Sequence, residues 1–170
     1  MLSFDIRSLE SQAAHVDGQL APDDPVWVDG DALPSKPIKV EGRLSMAGPS
    51  RFYFSGRFQG ETEVPCSRCL TEVGVQVDEE AHFIFSSEGE DVSDDPDVFP
   101  FAVNAAMLDM RPAVREAWLL AVPGFVLCRE DCKGLCATCG IDLNTETCGH
   151  APIKTETRWD ALKAVRDQLP

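Results

Sequence analysis

Cysteine spacing constrains this chain more than any other feature. Cys128, Cys132, Cys136, Cys139 and Cys148 fall in the stretch CREDCKGLCATCGIDLNTETCGH, which His150 closes. Cys66 and Cys69 form a separate C-x-x-C far upstream. Seven thiols and one imidazole make eight donors. A structural zinc takes four nitrogen or sulfur ligands in a tetrahedron, so eight donors fit two sites.

Reduced thiols are expected on two grounds. The opening MLSFDIRSLE has no basic n-region and no apolar h-region, and no run approaches the length of an apolar membrane span. The expectation is a soluble cytoplasmic protein, where clustered cysteines read as metal or catalytic sites rather than disulfides. An odd thiol count also fits full disulfide pairing poorly. Thiol–disulfide chemistry, an iron–sulfur site and free thiols are the competing readings.

At 170 residues and 44% hydrophobic content, the chain has enough apolar surface for a real core. Its net charge of −14 repels nucleic-acid phosphates at long range and attracts basic partners. This argues against a broad electrostatic footprint on RNA or DNA, though not against a local one. No Lys or Arg occurs between Arg68 and Arg111.

Periodicity gives the scaffold. Leu2 to Leu9 alternates as a first strand. Residues 11–37 read as loop with one short strand at Val26-Trp27-Val28. Ile38 to Met46 and Phe52 to Phe58 alternate around the turn Ala47-Gly48-Pro49-Ser50, an antiparallel hairpin with its phenylalanines toward the core. An aromatic stripe for stacking bases is the alternative reading of those phenylalanines. Glu61 to Val64 continues the sheet into Cys66 to Cys69. Val73 to Phe85 returns as one long strand, or two with a bulge, so the C-x-x-C sits at a tip between paired strands. Ser86 to Asp97 reads as an acidic solvated loop. Val98 to Val103 resumes apolar character. Pro112 opens a helix whose buried face is Val114, Ala117, Trp118 and Ala121, ended by Pro123-Gly124. Phe125 to Leu127 leads extended into Cys128. Thr157 caps a last amphipathic helix over 157–169, bearing Trp159, Leu162, Val165 and Leu169.

The expected fold is therefore α+β, mainly antiparallel β-sheet with one or two helices and a C-terminal zinc-ribbon-like cysteine module. A β-rich domain covers 1–127 with its acidic loop at 86–97, and the zinc module and helix cover 128–170. Two ligand pairings compete. In one, Cys66, Cys69, Cys128 and Cys132 hold one zinc, and Cys136, Cys139, Cys148 and His150 hold another. In the other, a single zinc sits within 128–150 and Cys66 and Cys69 stay free. The two-site pairing is preferred. Both make the metal structural rather than catalytic, since neither leaves an obvious open position. Gly140 supports the second knuckle, because the turn after a C-x-x-C needs a positive φ. His15 and His82 have no cysteine nearby and read as ordinary surface or strand residues.

These motifs resemble a known family: the DUF177 type, also called the large ribosomal RNA subunit accumulation protein or YceD family. The likeness rests on PCSRCL at Pro65 to Leu70, the acidic middle, the helix ending in AVPG, the string from Cys128 to His150 and a closing helix. Related sequences often carry Pro where Ala137 stands, C-x-C where Cys148-Gly149-His150 stands, and Asp-Pro-Arg where Glu156-Thr157-Arg158 stands. The Cys-to-His exchange preserves a zinc ligand. The resemblance implies a non-enzymatic role in 23S ribosomal RNA accumulation or processing, with a ribosomal protein, an assembly factor or a pre-rRNA particle as partner. It implies neither a membrane nor a small-molecule substrate, and leaves direct RNA contact open. Two other functions compete: a zinc-ribbon adaptor for a transcription or RNA-decay protein, and a thiol oxidoreductase. No catalytic triad order, phosphate loop or Gly-rich dinucleotide turn supports an enzyme.

Overall fold

The structure is a computed structural model that describes residues 1–87 and 98–150 together with Leu162. Its elements run β1 (Ser3–Asp5), α1 (Ile6–Ser11), β2 (Ala14–Leu20), β3 (Ile38–Gly48), β4 (Arg51–Pro65), β5 (Glu72–Ser87), β6 (Val98–Phe101), β7 (Met107–Asp109) and α2 (Arg111–Ala121). Strands β2-β3-β4-β5-β6 form one sheet in that spatial order, and β1 pairs with β7 in a second. The pairings β2–β3, β3–β4 and β4–β5 are antiparallel, whereas β5–β6 is parallel. The architecture is α+β and mostly antiparallel, as the periodicity predicts.

Alternation decides the inner face. Val16, Leu20, Ile38, Val40, Leu44, Phe52, Phe54, Phe58, Val77, Phe83 and Phe85 all point into one core. The phenylalanine stripe is thus buried packing, not a stacking surface for bases. Each such side chain, fully buried, contributes about 1.5–3 kcal/mol. Helix α2 lays Ala113, Val114 and Trp118 against this face. Trp118 Nε1 donates 2.7 Å to the Ala32 carbonyl, so its one polar group is satisfied. A Cβ on Gly60 would meet the Trp118 ring at 2.6 Å, so β4 carries glycine where the indole sits.

Several expectations change. Strand character near the N-terminus stops at Asp5, because Asp5 Oδ1 accepts 2.9 Å from Ser8 N and starts α1. The region 11–37 holds its strand at Ala14–Leu20, not at Val26–Val28. Val16, Gly18 and Leu20 alternate inward there, whereas Trp27 Nε1 folds back onto the Ala21 carbonyl at 2.8 Å. Ser86 and Ser87 belong to β5 and are buried, since β6 pairs with them through Pro100 and Phe101. The rest of the acidic run, and the helix expected over 157–169 apart from Leu162, lie outside the described residues. The described helices are therefore α2, as predicted, and α1, which was not.

The β4–β5 hairpin matters most for the site. Its ladder runs unbroken from Arg51↔Ser86 to Pro65↔Glu72, and Cys66–Cys69 turns its end. No helix among the described residues is long and apolar enough to cross a membrane.

Candidate metal centre

Two groups of four donors converge in the structure. The ligand atoms of Cys66, Cys69, Cys128 and Cys132 lie within 4.8 Å of one another, and so do those of Cys136, Cys139, Cys148 and His150. Every sequence-predicted ligand is in one of these groups, divided as in the two-site pairing. His15 and His82 are in neither and sit exposed on strands.

Local folding brings them together. The two C-x-x-C turns share one hydrogen-bond pattern. Leu70 N donates to the Cys66 carbonyl at 3.0 Å and Cys66 N to the Thr71 carbonyl at 2.8 Å. Gly140 N donates to Cys136 and Cys136 N to Ile141, both at 2.8 Å. The residue after the second thiol takes positive φ in both, 62° at Leu70 and 74° at Gly140. Glycine adopts this freely; leucine does so only where the surroundings hold it.

The first group joins distant parts of the chain. Cys66 Sγ is 3.8 Å from Cys132 Sγ, and Cys69 Sγ is 3.5 Å from Cys128 Sγ. These separations far exceed a disulfide bond of about 2.05 Å. They match the edge of a tetrahedron with metal–sulfur bonds of about 2.3 Å, which is about 3.8 Å. Cys66, Cys69 and Cys132 are buried with Val73, Leu127 and Leu135 around them. In the second group His150 Nδ1 lies 3.9 Å from Cys136 Sγ, while Cys139 and His150 are exposed.

Thiols this close cannot all ionise unaided. Burial opposes ionisation of Cys66, but the N–H groups of Arg68, Cys69 and Cys128 aim at its sulfur and bring it down to about 6. The hydroxyl and N–H of Thr71 lower Cys69. Cys128 is pushed up to about 12, first by hydrogen bonding with Cys69 and then by burial. The N–H groups of Thr138 and Cys139 bring Cys136 down to about 6. For Cys148 the His150 N–H favours the thiolate, but Cys136, burial and Cys139 together outweigh it and raise the thiol. The surroundings thus favour the thiolate at Cys66, Cys69 and Cys136 and oppose it at Cys128 and Cys148. A divalent cation removes that competition, because it favours the thiolate at every ligand. The donor sets, four sulfurs in one group and three sulfurs with one imidazole nitrogen in the other, could each hold a metal ion.

Three supporting residues escaped sequence reasoning. Arg68 Nη1 donates 2.8 Å to the Cys132 carbonyl, and the Arg68 carbonyl accepts 3.0 Å from Leu135 N. Asn144 accepts from Lys133 N at 2.8 Å and places Nδ2 3.5 Å from Cys132 Sγ, while Asp142 Oδ1 accepts from that same amide at 2.7 Å. Thr71 Oγ1 lies 3.3 Å from Cys69 Sγ. Arg68 sits inside the C-x-x-C and Asn144 ends the L-N pair of the cysteine string. Both stood in recognised motifs, but spacing alone assigns no role to the residues between ligands.

Fold and site together define an α+β protein with two metal-type clusters, the first tying the long hairpin tip to a cysteine-rich segment and the second lying within that segment. The chain belongs to the YceD family, whose model, described as large ribosomal RNA subunit accumulation protein, matches residues 54–166. An uncharacterized protein of Mycobacterium leprae is 31% identical over 110 residues, covering 64% of this chain and 50% of that protein. Uncharacterized proteins of Mycobacterium bovis and Mycobacterium tuberculosis are 31% identical over 110 residues, covering 64% of this chain and 52% of theirs. The chain spans about half the length of the curated relatives it matches. No solved structure matches it.

Proposed function

We propose that this chain is a zinc-stabilised, non-enzymatic factor in biogenesis of the large ribosomal subunit, supporting accumulation or processing of 23S ribosomal RNA. Membership of the YceD family supports the process. The convergence of Cys66 and Cys69 with Cys128 and Cys132 supports the mechanism. Zinc is the metal these donors suit, being thiolates and one imidazole with no carboxylate among them. Both ions serve structure. The first fastens the 128–170 module to the β-rich 1–127 domain, and the second closes the module's own knuckle.

The partner is a ribosomal protein, an assembly factor or a pre-rRNA particle. A net charge of −14 favours a basic protein and disfavours coating RNA broadly. A thiol-oxidoreductase role is disfavoured, because the Cys66–Cys69 turn ends a strand hairpin instead of opening a helix, where redox thiols are activated.

Depletion followed by sedimentation of ribosomal subunits tests the process. The expected result is a deficit of large subunits and of 23S RNA; normal levels of both would overturn it. Metal analysis tests the mechanism. Two zincs per chain are expected, with one lost in Cys66→Ser and the other in Cys139→Ser.

A further inference from the structure

One edge of the main sheet is left open. β6 pairs with β5 only through residues 84–87. Among the described residues, no strand lies beside residues 72–83 on that side. Hydrogen-bond parity shows which groups face outward. Cys66 N donates to the Thr71 carbonyl at 2.8 Å and Ser87 N to the Ser50 carbonyl at 3.1 Å, one at each end of the unbroken β4–β5 ladder. Residues of an antiparallel strand alternate between bonding one neighbour and facing the other side. Odd-numbered residues of β5 therefore bond β4, and Gly74, Gln76, Asp78, Glu80 and His82 turn their N–H and C=O groups to the open side. Unpaired groups of this kind are a template for an added strand.

A groove runs along the same edge. A cavity of about 460 Å³ is lined by Phe58, Ala81, Phe83, Ala117, Leu120 and Ala121, with Glu79, Glu80 and His82 also on its wall. Five consecutive residues of β5 line it, so it lies beside the strand and not over one face alone. Leu120 is 81% exposed, a large apolar side chain that α2 holds at the groove mostly in water. Charge selects the occupant. Glu79 stands opposite Phe58 on the face of Val77, Ala81 and Phe83, yet it is exposed and makes no ion pair among the described residues. Glu80 stands across from Arg57, but Asp78 takes that guanidinium. No Lys or Arg occurs between Arg68 and Arg111, and six more carboxylates follow Ser87 between Glu88 and Asp97. Acid along an edge repels a second copy of this chain, whose net charge is −14, and attracts a strand that carries cations.

We propose that the open edge of β5 takes up a basic, extended segment of a partner protein as an added strand. The inference deepens the proposed function and rests on it for a basic protein as the partner. The backbone of that segment bonds Gln76, Asp78, Glu80 and His82. One of its apolar side chains fills the groove beside Ala81, Leu120 and Ala121, and its Lys or Arg side chains meet Glu79 and Glu80. Main-chain bonds supply the affinity of such an added strand, and the side-chain groove and charges supply the selection. At about 3.4 Å per residue, residues 72–83 offer about 40 Å of edge, enough for about ten residues of partner.

Fluorescence anisotropy and amide hydrogen exchange of the full metal-loaded chain test this with a labelled peptide of alternating lysine and valine. On binding, exchange at the N–H groups of Gln76, Asp78, Glu80 and His82 should slow roughly tenfold or more. The same peptide N-methylated throughout keeps its charge, loses its donors and should bind roughly tenfold more weakly. Glu79→Lys with Glu80→Lys should weaken binding roughly tenfold. Leu120→Ser should weaken it roughly fivefold. Glu10→Lys with Asp17→Lys makes the same charge change on α1 and on β2, the opposite edge of the sheet, and should stay within about twofold of wild type. Unchanged metal content and melting temperature show that each variant is folded, and the exchange measurement on the wild-type chain needs no variant. No binding by the wild-type chain, or equal binding of the N-methylated peptide, would overturn the inference. So would protection of the four amides before peptide is added. Protection at every concentration would mean that a segment of this chain already fills the edge, and protection only at high concentration that a second copy does. The subunit-depletion result depends on none of these outcomes, so the two readings fail separately.

Discussion

A Cβ on Gly134 would lie 2.9 Å from the carbonyl oxygen of Arg68. That carbonyl already accepts 3.0 Å from Leu135 N, so it cannot retreat without loosening the contact between hairpin tip and cysteine segment. Gly134 also has a φ of +75°. Gly140 shares the same kind of backbone at +74° but has open space around its missing side chain. Gly140→Ala should therefore cost only the left-handed strain, about 1–2 kcal/mol. Gly134→Ala adds a backbone clash and should cost about 2–4 kcal/mol. Urea unfolding of the metal-loaded variants measures both; equal costs would mean that the Arg68 contact carries no weight.

Asn144 steers the first cluster without being a ligand. Its side chain spans Lys133 N, Asp142 Oδ1 and Cys132 Sγ. Groups that orient metal ligands typically affect affinity by about 10- to 100-fold when removed. Asn144→Ala should weaken zinc at Cys66, Cys69, Cys128 and Cys132 by about that factor. Zinc in the second group should be unchanged. Competition against a chelating dye, read in Cys139→Ser and in Asn144→Ala with Cys139→Ser, isolates the effect.

The two clusters should release metal in order. Three of four donors in the first are buried, and Val73, Leu127 and Leu135 pack around them. In the second, Cys139 and His150 are exposed, and an imidazole stands in place of one of the four thiols. Chelator should remove the second ion first, with little change in far-UV circular dichroism. Loss of the first should coincide with loss of tertiary structure. A single-phase release would show that the clusters are coupled.

How far the residues themselves revealed this arrangement varies along the chain. Ile38 to Met46, Phe52 to Phe58 and, apart from Asp78-Glu79-Glu80, Val73 to Phe85 alternate, and all three are strands, because one face is buried and the other wet. The helix at Arg111–Ala121 was equally legible from Pro112 and its apolar spacing. Ala14–Leu20 was not. Its small residues Ala14 and Gly18 blur the alternation, and Gly18 is required where Leu2 crosses, a Cβ there meeting that side chain at 2.7 Å. The parallel pairing of β6 with β5 could not be read, since periodicity says which face is buried but not which neighbour is bonded. The donors announced themselves by residue type and spacing. Arg68 and Asn144 did not, because their roles come from long-range approach.

Trp118 and Gly60 make the helix-to-sheet contact testable. The indole is fully buried and lies against Gly60. Gly60→Ala places a methyl 2.6 Å from the ring, so α2 or Trp118 must shift. Overpacking of this kind costs about 1–3 kcal/mol. Thermal unfolding should show a lower Tm, and Gly74→Ala, with nothing near its missing side chain, serves as control.

Asp31 ties the segment before β3 to α2, and its pH dependence has a definite sign. Arg115 Nη2 donates to Asp31 Oδ1 at 2.7 Å and Nε to Oδ2 at 2.6 Å. The Arg115 guanidinium, then the Val28 N–H, hold this carboxyl below the usual carboxylate range. A group whose folded pKa is depressed binds its proton more readily when unfolded. Its contribution is therefore fully present above the unfolded pKa of about 3.9 and is lost as pH falls through the lower folded value. Asp31→Asn keeps the shape and removes the charge. Relative to wild type it should be less stable at neutral pH, and the gap should narrow as pH falls below about 4. Urea midpoints of both chains across that range check it; a gap constant with pH would mean the pairing adds no electrostatic stability.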